Sequence, residues 1–391
     1  MNKKQILWVV YDFVQAGGQR YVFEICKALN KQKHQIDFLQ VNDLNADKNW
    51  DTEFYYQPTL DLGCTIYSLS EILSKSVKNL SSTQKKINKI SEKLFSKIVF
   101  SDKRNQNTKS SLEKLFAQYD YVNFSGISVY NSVCINNGLH PNNGFINILT
   151  AKFQGVDIYK NYNKELFYNF ISGFEPNIQK YELSDFKKYE HIYFPLSLEC
   201  FPFDIGIDSE RRKYVVGVFT RLSPMKPMDP YFYALKLLVE QGVNVELRIY
   251  GAGDPQELGL IRQLEYLYIK DRVVFCGHTE SLQETLLHEK FDIVWFQAAN
   301  NQVAGYSALE IAMGGVPQIL WDFNDLGSKT EAGTCFPCFT NLSSFVEFSK
   351  SILLSKEDRK ELGLKQQNFV LKNHDVKKNI IILENLYQHG K

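Results

Sequence analysis

The sequence has little of what marks an exported or membrane-spanning protein. Its seven cysteines are odd in number and scattered over 391 residues, which favours a reducing compartment over a disulfide framework. The first apolar run, Ile6–Tyr11, follows Lys3 and Lys4 and stops at Asp12. It is far shorter than the roughly 20 residues that a spanning helix needs. We therefore expect no export signal, no membrane span and a cytoplasmic location.

An excess of charge of either sign is also missing. The chain holds 45 Lys or Arg and 44 Asp or Glu, for a formal net charge of +1, so no strong global field attracts nucleic acid. Cys335 and Cys338 form one C-x-x-C without a second pair nearby. Because a zinc site needs about four ligands, we interpret them as ordinary thiols, and no metal site is predicted.

Length and composition are typical of two soluble domains. At 391 residues the chain exceeds what one core normally serves, so two domains of roughly 200 residues each are expected. An apolar share of 44% with 14% aromatics is sufficient for two cores.

The C-terminal half alternates apolar, β-branched segments with helical patterns. This alternation predicts βαβ units around a parallel sheet that is buried on both faces. Asp229 and Asp254, each followed by proline, are predicted to cap two of the helices, with Gly242 beyond the end of the first. The predicted strands are Lys213–Phe219, Val245–Tyr250, Arg272–Cys276, Phe291–Phe296 and Val316–Trp321.

The N-terminal half opens in the same way. A strand at Ile6–Tyr11 leads through Gly17 and Gly18 into an amphipathic helix and then a second strand near Ile36–Val41. Later candidate strands lie at Tyr119–Gly126, Gly144–Ala151 and His191–Pro195. The fold class is therefore α/β with two Rossmann-like domains: residues 1–200, residues 201–375, and a terminal helix at 376–391.

Two segments of the second domain point to an anionic ligand. The stretch Gln302–Pro317 predicts a loop that enters a short helix ending at a glycine pair, and a helix N-terminus favours phosphate or sugar oxygens. Arg221 and Lys226 follow the first strand of this domain. Two cations at the carboxyl end of a parallel strand suit a diphosphate.

These segments resemble the family 4 glycosyltransferases, which are retaining enzymes of the GT-B fold. That family has an Arg and a Lys five apart, then two glutamates eight apart before a small-residue helix and GVP. Arg221, Lys226, Glu310 and Gly315–Pro317 match this pattern, whereas Gln302 stands in place of the first glutamate. The resemblance implies two domains that face each other across a cleft, and a C-terminal helix that crosses back to the N-terminal domain.

The resemblance also implies roles for individual residues. Arg221 and Lys226 would stabilise the leaving diphosphate, Glu310 would accept hydrogen bonds from the ribose, and Gln302 would lie beside the donor sugar. The nucleotide base would pack near His278. Further donor-binding residues are Gly17, Gly18, Gly251, Gly277, Gly305, Tyr306 and Ser307.

The predicted function is retaining transfer of a hexosyl or N-acetylhexosaminyl group from a nucleotide sugar to a cell-surface glycan or lipid-linked acceptor. No Asp-x-Asp pair occurs, which argues for a metal-independent enzyme without a cofactor. The first alternative is a non-catalytic, GT-B-like scaffold subunit, because Gln302 replaces a glutamate. A more distant one is a nucleotide-sugar epimerase.

Residues 75–114 form a basic insertion in the first domain. They include eleven Lys or Arg and three Asp or Glu, and apolar residues at helical spacing predict an amphipathic helix. One interpretation is a helix packed on its own domain with solvated lysines. The other is a peripheral patch on the inner face of the membrane that binds anionic headgroups through Lys85, Lys86, Lys89 and Lys93.

Overall fold

The computed structural model describes residues 3–29, 31, 33–42, 54–72, 102–149, 168–173, 189–198, 213–224, 226–298, 305–323, 325 and 330–389. The chain divides into two compact units. The first comprises Met1–Ser172, Pro176–Pro195 and Asn379–Lys391, and the second comprises Gly173–Glu175 and Leu196–Lys378.

The first unit is built on a seven-stranded sheet in the order β3-β2-β1-β4-β5-β6-β7. Neighbouring strands from β3 to β6 pair in parallel. Strand β1 lies inside the sheet because its residues from Ile6 to Val10 are apolar and buried. The strands are β1 (Lys4–Val10), β2 (His34–Gln40), β3 (Ile66–Ser68), β4 (Tyr121–Phe124), β5 (Gly144–Leu149), β6 (Tyr168–Gly173) and β7 (Tyr189–Tyr193).

Helices of the first unit cover this sheet with apolar faces. Tyr21, Val22 and Ile25 of the first helix are buried at helical spacing, so this helix packs its apolar side inward. The helices are α1 (Gly17–Ala28), α2 (Tyr56–Asp61), α3 (Asp102–Phe116) and α4 (Ile127–Val133).

The second unit is built on a six-stranded sheet in the order β10-β9-β8-β11-β12-β13, with parallel pairing throughout. Apart from the edge strands β10 and β13, its strands are largely buried on both faces, as predicted for a parallel sheet. The strands are β8 (Tyr214–Phe219), β9 (Val245–Tyr250), β10 (Val273–Gly277), β11 (Ile293–Ala298), β12 (Gln318–Asp322) and β13 (Cys338–Phe339).

Helices α5 to α11 complete the second unit. Trp295 of β11 is fully buried among them, and its indole N–H donates to the Ser349 hydroxyl at 3.1 Å. The helices are α5 (Asp229–Glu240), α6 (Leu260–Tyr266), α7 (Leu282–Glu289), α8 (Tyr306–Met313), α9 (Glu331–Cys335), α10 (Leu342–Leu354) and α11 (Lys356–Asn373).

The last helix, α12 (Val376–His389), belongs to the first unit from Asn379 onward. Its Tyr387 ring stacks on Tyr121 with 4.7 Å between centroids and meets Phe145 edge-on at 5.5 Å. The Tyr121 hydroxyl donates to the carbonyl of Tyr387. The predicted return of the C-terminal helix to the first domain is confirmed.

Both sheets repeat the same strand order. Read from its own first strand, the second sheet has the order 3-2-1-4-5-6, and the first sheet follows the same order through β6. In such sheets the strand order reverses between the first and fourth strands, and ligands bind there, beyond the carboxyl ends of the strands. In the second unit this point lies between β8 and β11.

The two predicted helix caps are wrong in detail. Asp229 is the first residue of α5 rather than its cap, and its carboxylate accepts from the Gln263 amide at 2.7 Å. Asp254 accepts from the backbone N–H of Gln256 at 2.7 Å and so closes a turn, while α6 begins only at Leu260. Among the described helices, none has the length and apolar character needed to cross a bilayer.

Candidate functional site

Three loops lie side by side at the carboxyl edge of the second sheet. They follow β8, β9 and β10, and they continue the pairing of these strands beyond their ends. Thr220 donates its N–H to Tyr250 at 2.9 Å, and Leu222 donates to Ala252 at 2.8 Å. Gly251 in turn donates to the carbonyl of Gly277 at 2.7 Å. The loop that carries Arg221 is thereby fixed to its neighbour by backbone hydrogen bonds.

Gly251 is required by this close approach. A Cβ atom at this position would lie 1.8 Å from the carbonyl oxygen of Thr220, a distance that no side chain tolerates. A Cβ at Gly253 would lie 2.5 Å from the carbonyl oxygen of Leu222. The two glycines therefore let the β9 loop touch the backbone on either side of Arg221.

Lys226 follows on a turn in the β8 loop. Its N–H donates to the carbonyl of Ser223 at 2.9 Å, and Pro224 at the second turn position favours this conformation. Burial lowers the pKa of the half-buried Lys226, and the nearby charge of Arg221 lowers this pKa further. In the part of the chain that the structure describes, no carboxylate forms an ion pair with Lys226. Two like charges are thus held near each other at the sheet edge.

Lys226 lines a cavity of about 180 Å³ in the second unit. The cavity opens beyond the carboxyl ends of β8 and β11, at the point where the strand order reverses. Its lining comes from three segments: Val218–Thr220, Lys226–Met228 with Tyr231, and Trp295–Gln297 with Gly305–Ser307.

The N-terminus of α8 forms one wall of the cavity. Gly305 is the N-cap residue of the helix, and as a glycine it has no side chain with which to cap it. Helices α7, α9, α10 and α11 of the same unit, by contrast, are capped by the side chains of Ser281, Thr330, Asn341 and Ser355. The first turn of α8 contains no acidic residue, so the partial positive charge of this helix end is directed at the cavity.

This arrangement is suited to an anion of phosphate size. An ammonium group, a second cation nearby and a helix N-terminus with glycine at its N-cap position all favour negative charge. The volume is smaller than the roughly 300 Å³ at which pockets for whole drug-sized ligands begin. The described cavity therefore accommodates the charged part of a larger ligand.

The structure brings four of the predicted site residues together in one cavity, namely Lys226, Gly305, Tyr306 and Ser307. Glu310 lies one helical turn after Tyr306 on the same face of α8 and is half-buried, outside the cavity lining.

The remaining predicted residues are divided between both units. Gly277 and His278 are exposed at the end of β10, next to Gly251. Gly17 and Gly18 open α1 in the first unit, and their assignment to the donor stays a prediction. Gln302 lies outside the described residues.

Several residues that line the cavity were not predicted from the sequence. Gln297 is a polar residue near the end of the apolar strand β11. Its position beside the predicted sheet edge is a signal that could have identified it as a site residue. Tyr231, Trp295 and Met228 gave no such signal, because aromatic and apolar residues in strands and helices are usually core residues. The structure shows that they form the floor of an open site.

No metal centre is found in the described part of the chain. No group of three or more His, Cys, Asp or Glu residues there is arranged to hold a metal ion. Cys335 and Cys338 are free thiols, and burial together with the charge of Asp322 raises the pKa of Cys338 to about 12.

Solved structures similar to this chain include glycosyltransferases. A TarM variant from S. aureus, in complex with fondaparinux, alpha-GlcNAc-glycerol and UDP, superimposes with a TM-score of 0.70 at 14% identity, covering 98% of this chain and 99% of that one. A glycosyltransferase from Rickettsia africae gives 0.69 at 11% identity, with 99% and 98% covered. Anabaena HepE in complex with UDP and glucose gives 0.64 at 12% identity, with 98% and 99% covered.

No family model and no curated protein matches the sequence. The structural likeness extends over nearly the whole of each chain. Together with the two parallel sheets, it shows that the fold is GT-B, the two-domain α/β fold of many glycosyltransferases.

Proposed function

We propose that this protein is a glycosyltransferase that takes a sugar from a nucleotide-sugar donor. The observation that carries the proposal is the cavity where the strand order of the second sheet reverses, with Lys226 and the N-terminus of α8 in its walls. Three similar structures support it, because one is a TarM complex with UDP and two are HepE complexes with UDP or UDP-glucose.

The chemistry follows from the charges at this site. Cleavage of the bond between sugar and nucleoside diphosphate develops negative charge on the leaving phosphate. Fixed positive groups stabilise that charge more in the transition state than in the ground state. Lys226, Arg221 and the N–H groups at the start of α8 supply this field. In this proposal, Glu310 accepts hydrogen bonds from the ribose hydroxyls, and Gln302 lies beside the sugar.

The finer assignments rest on the resemblance to family 4 enzymes. They are retention at the anomeric carbon, transfer of a hexosyl or N-acetylhexosaminyl group, independence from metal ions, and a glycan or lipid-linked acceptor. Gly251, Gly277 and His278 are assigned to the nucleotide because they lie at the same sheet edge as Arg221.

The experiment that tests the function is a donor screen. Uridine, guanosine and adenosine diphosphate sugars are titrated into the protein by calorimetry, and hydrolysis of every binder is measured with and without EDTA. We expect one nucleotide class to bind and to be hydrolysed slowly, with no loss in EDTA. If no nucleotide sugar binds at millimolar concentration, the glycosyltransferase proposal fails.

Gln302 is the feature that favours the scaffold alternative. In an active enzyme, its amide orients the sugar through hydrogen bonds, so Gln302→Glu should change turnover or donor preference. Glu310→Ala should mainly weaken donor binding, by about tenfold for one lost hydrogen bond to a charged group. Calorimetry and transfer assays on parent and variants measure both effects. Donor binding without transfer or hydrolysis in the parent and in Gln302→Glu would establish the scaffold.

The basic segment, whose predicted lysine patch lies outside the described residues, is proposed to bind a membrane surface. Each Lys near an anionic bilayer contributes on the order of 1 kcal/mol, so replacing Lys85, Lys86, Lys89 and Lys93 by Gln should lower binding to phosphatidylserine vesicles by about two orders of magnitude or more. Added salt should reproduce this loss because it screens exposed charges. Vesicle co-sedimentation measures the binding.

The control for this segment replaces basic residues of the second unit. Lys236, Lys270 and Arg272 are surface residues whose charges already pair with nearby carboxylates, so their replacement by Gln should not change vesicle binding. Activity on a soluble acceptor should be the same in all variants. If the fourfold variant sediments with vesicles as well as the parent does, the lysines are merely solvated.

A further inference from the structure

Tyr231 is a buried polar residue at the floor of the candidate site. It lies in the first turn of α5, five residues after Lys226, and both residues line the same cavity. Only 3% of its surface is exposed. Its N–H donates to the carbonyl of Met228 at 3.1 Å, so the backbone at this position is fixed.

The ring of Tyr231 is held by aromatic neighbours. It stacks on Trp295 with 6.0 Å between centroids and 14° between planes, and it contacts Phe345 at 6.4 Å. These contacts are made by the ring and need no hydroxyl. A phenylalanine would satisfy them equally, so the packing does not account for a tyrosine here.

The hydroxyl of Tyr231 forms no hydrogen bond with any residue that the structure describes. A phenol that is buried without a partner destabilises a fold, and such groups are rare in proteins. The hydroxyl is also not among the polar atoms sealed from solvent. Because the ring is buried and the residue lines the cavity, the hydroxyl is open to the cavity.

The protonation state of this group suits an anionic ligand. Burial raises the pKa of Tyr231 well above its ordinary value, so the phenol keeps its proton at neutral pH and can donate it in a hydrogen bond. Lys226 offers further N–H donors at the same cavity. A neutral donor and a cation together fit an oxygen-rich anion such as a diphosphate.

We infer that Tyr231 is a ligand-binding residue whose hydroxyl donates a hydrogen bond to the phosphate group of the nucleotide at the floor of this cavity. The inference rests on the proposed function for the identity of the anion. It assigns a partner to the unpartnered hydroxyl, and it explains why a tyrosine rather than a phenylalanine stacks on Trp295 at the floor of the site.

The test compares Tyr231→Phe with the parent. The variant keeps the ring stack and removes only the hydroxyl. Binding of UDP, GDP and ADP is measured by calorimetry, and thermal unfolding is measured without ligand. We expect the diphosphate that binds the parent to bind the variant about tenfold more weakly or worse. The unfolding temperature without ligand should be equal or higher, because an unpaired phenol has been removed.

Tyr233→Phe is the matched control. Tyr233 lies on the same helix, two residues further along, but it is 46% exposed and does not line the cavity. Its replacement should leave nucleotide binding unchanged.

The possible outcomes separate this inference from the proposed function. Equal affinity of the parent and Tyr231→Phe for the bound diphosphate would overturn the inference while leaving the function intact. A lower unfolding temperature without ligand, accompanied by the same affinity, would assign the hydroxyl to the fold instead. If none of the three nucleotides binds the parent, the proposed function and the inference that rests on it both fail.

Discussion

Replacing Lys226 by Ala is expected to reduce sugar transfer by about tenfold to a hundredfold. A hydrogen bond to a charged group contributes roughly 1.5 to 3 kcal/mol, and each 1.4 kcal/mol lost in the transition state lowers the rate about tenfold. The effect should appear mainly in turnover, because the charge that Lys226 meets grows as the donor bond breaks. Steady-state kinetics with the donor found in the screen provide the measurement.

The fold should survive this change. Burial lowers the pKa of Lys226, which means that the folded protein disfavours its charged form. At neutral pH, below the unfolded-state pKa of lysine, removing this cation should therefore not lower the free energy of unfolding, and it can raise it. Lys226→Met, which keeps the apolar stem, should show the same loss of transfer with an unchanged or higher unfolding temperature.

Lys236→Ala is the matched control. Lys236 lies on the exposed face of α5, the helix that follows Lys226, and pairs with Glu240 at 2.9 Å. An exposed pair of this kind contributes little, so transfer should be unchanged. Arg221→Ala, at the exposed neighbouring cation, should behave like Lys226→Ala with a smaller effect. Normal turnover in both Arg221→Ala and Lys226→Ala would show that neither residue holds the diphosphate.

The parallel sheets could be predicted because their signals are local. The strands β8, β9, β11 and β12 are apolar runs bounded by glycine, proline or charge, and each lies within two residues of its predicted position. The prediction that Gly242 lies just beyond the end of the helix after β8 is also correct, and Gly242 adopts a φ of 81°. Here the burial pattern, the turn residues and the alternation of elements all indicate one fold.

Three strands were missed for physical reasons. Strands β3 and β13 have three and two residues, too short for any periodicity. Strand β6, Tyr168–Gly173, contains asparagine and serine among its apolar residues, so it carries no clear alternation. All three are defined by backbone pairing with a neighbouring strand, and only β3 and β13 lie at a sheet edge. A single sequence does not show this pairing.

Only those site residues that lie next to a strand end or a glycine could be predicted from the sequence. Lys226 and the start of α8 stand next to recognisable strand ends and glycines, so their place at the sheet edge followed from the order of elements. The cavity itself depends on Trp295 and Tyr231, which come from a distant strand and helix and meet only in the folded unit. Their sequence pattern is that of ordinary core residues, so no local signal separates them from the core.

Gly251→Ala is expected to be the most destabilising single change among these site residues. Its Cβ would lie 1.8 Å from the carbonyl oxygen of Thr220, and this atom belongs to the backbone, which cannot rotate away. The β8 and β9 loops must therefore separate, and the hydrogen bond from Thr220 to Tyr250 would be strained. We expect a loss of roughly 3 kcal/mol or more in the free energy of unfolding, measured by urea denaturation.

Gly242→Ala separates this clash from the conformational requirement of glycine. Gly242 has a φ of +81° and no atom within 4 Å of its would-be Cβ, so alanine there is strained without a collision and should cost about 1 kcal/mol. Because Thr220 precedes Arg221, the folded fraction of Gly251→Ala should also bind the donor more weakly, whereas Gly242→Ala should bind it normally. Equal destabilisation by the two alanines would mean that the loops after β8 and β9 do not approach as closely as the structure shows, and that Arg221 is positioned in some other way.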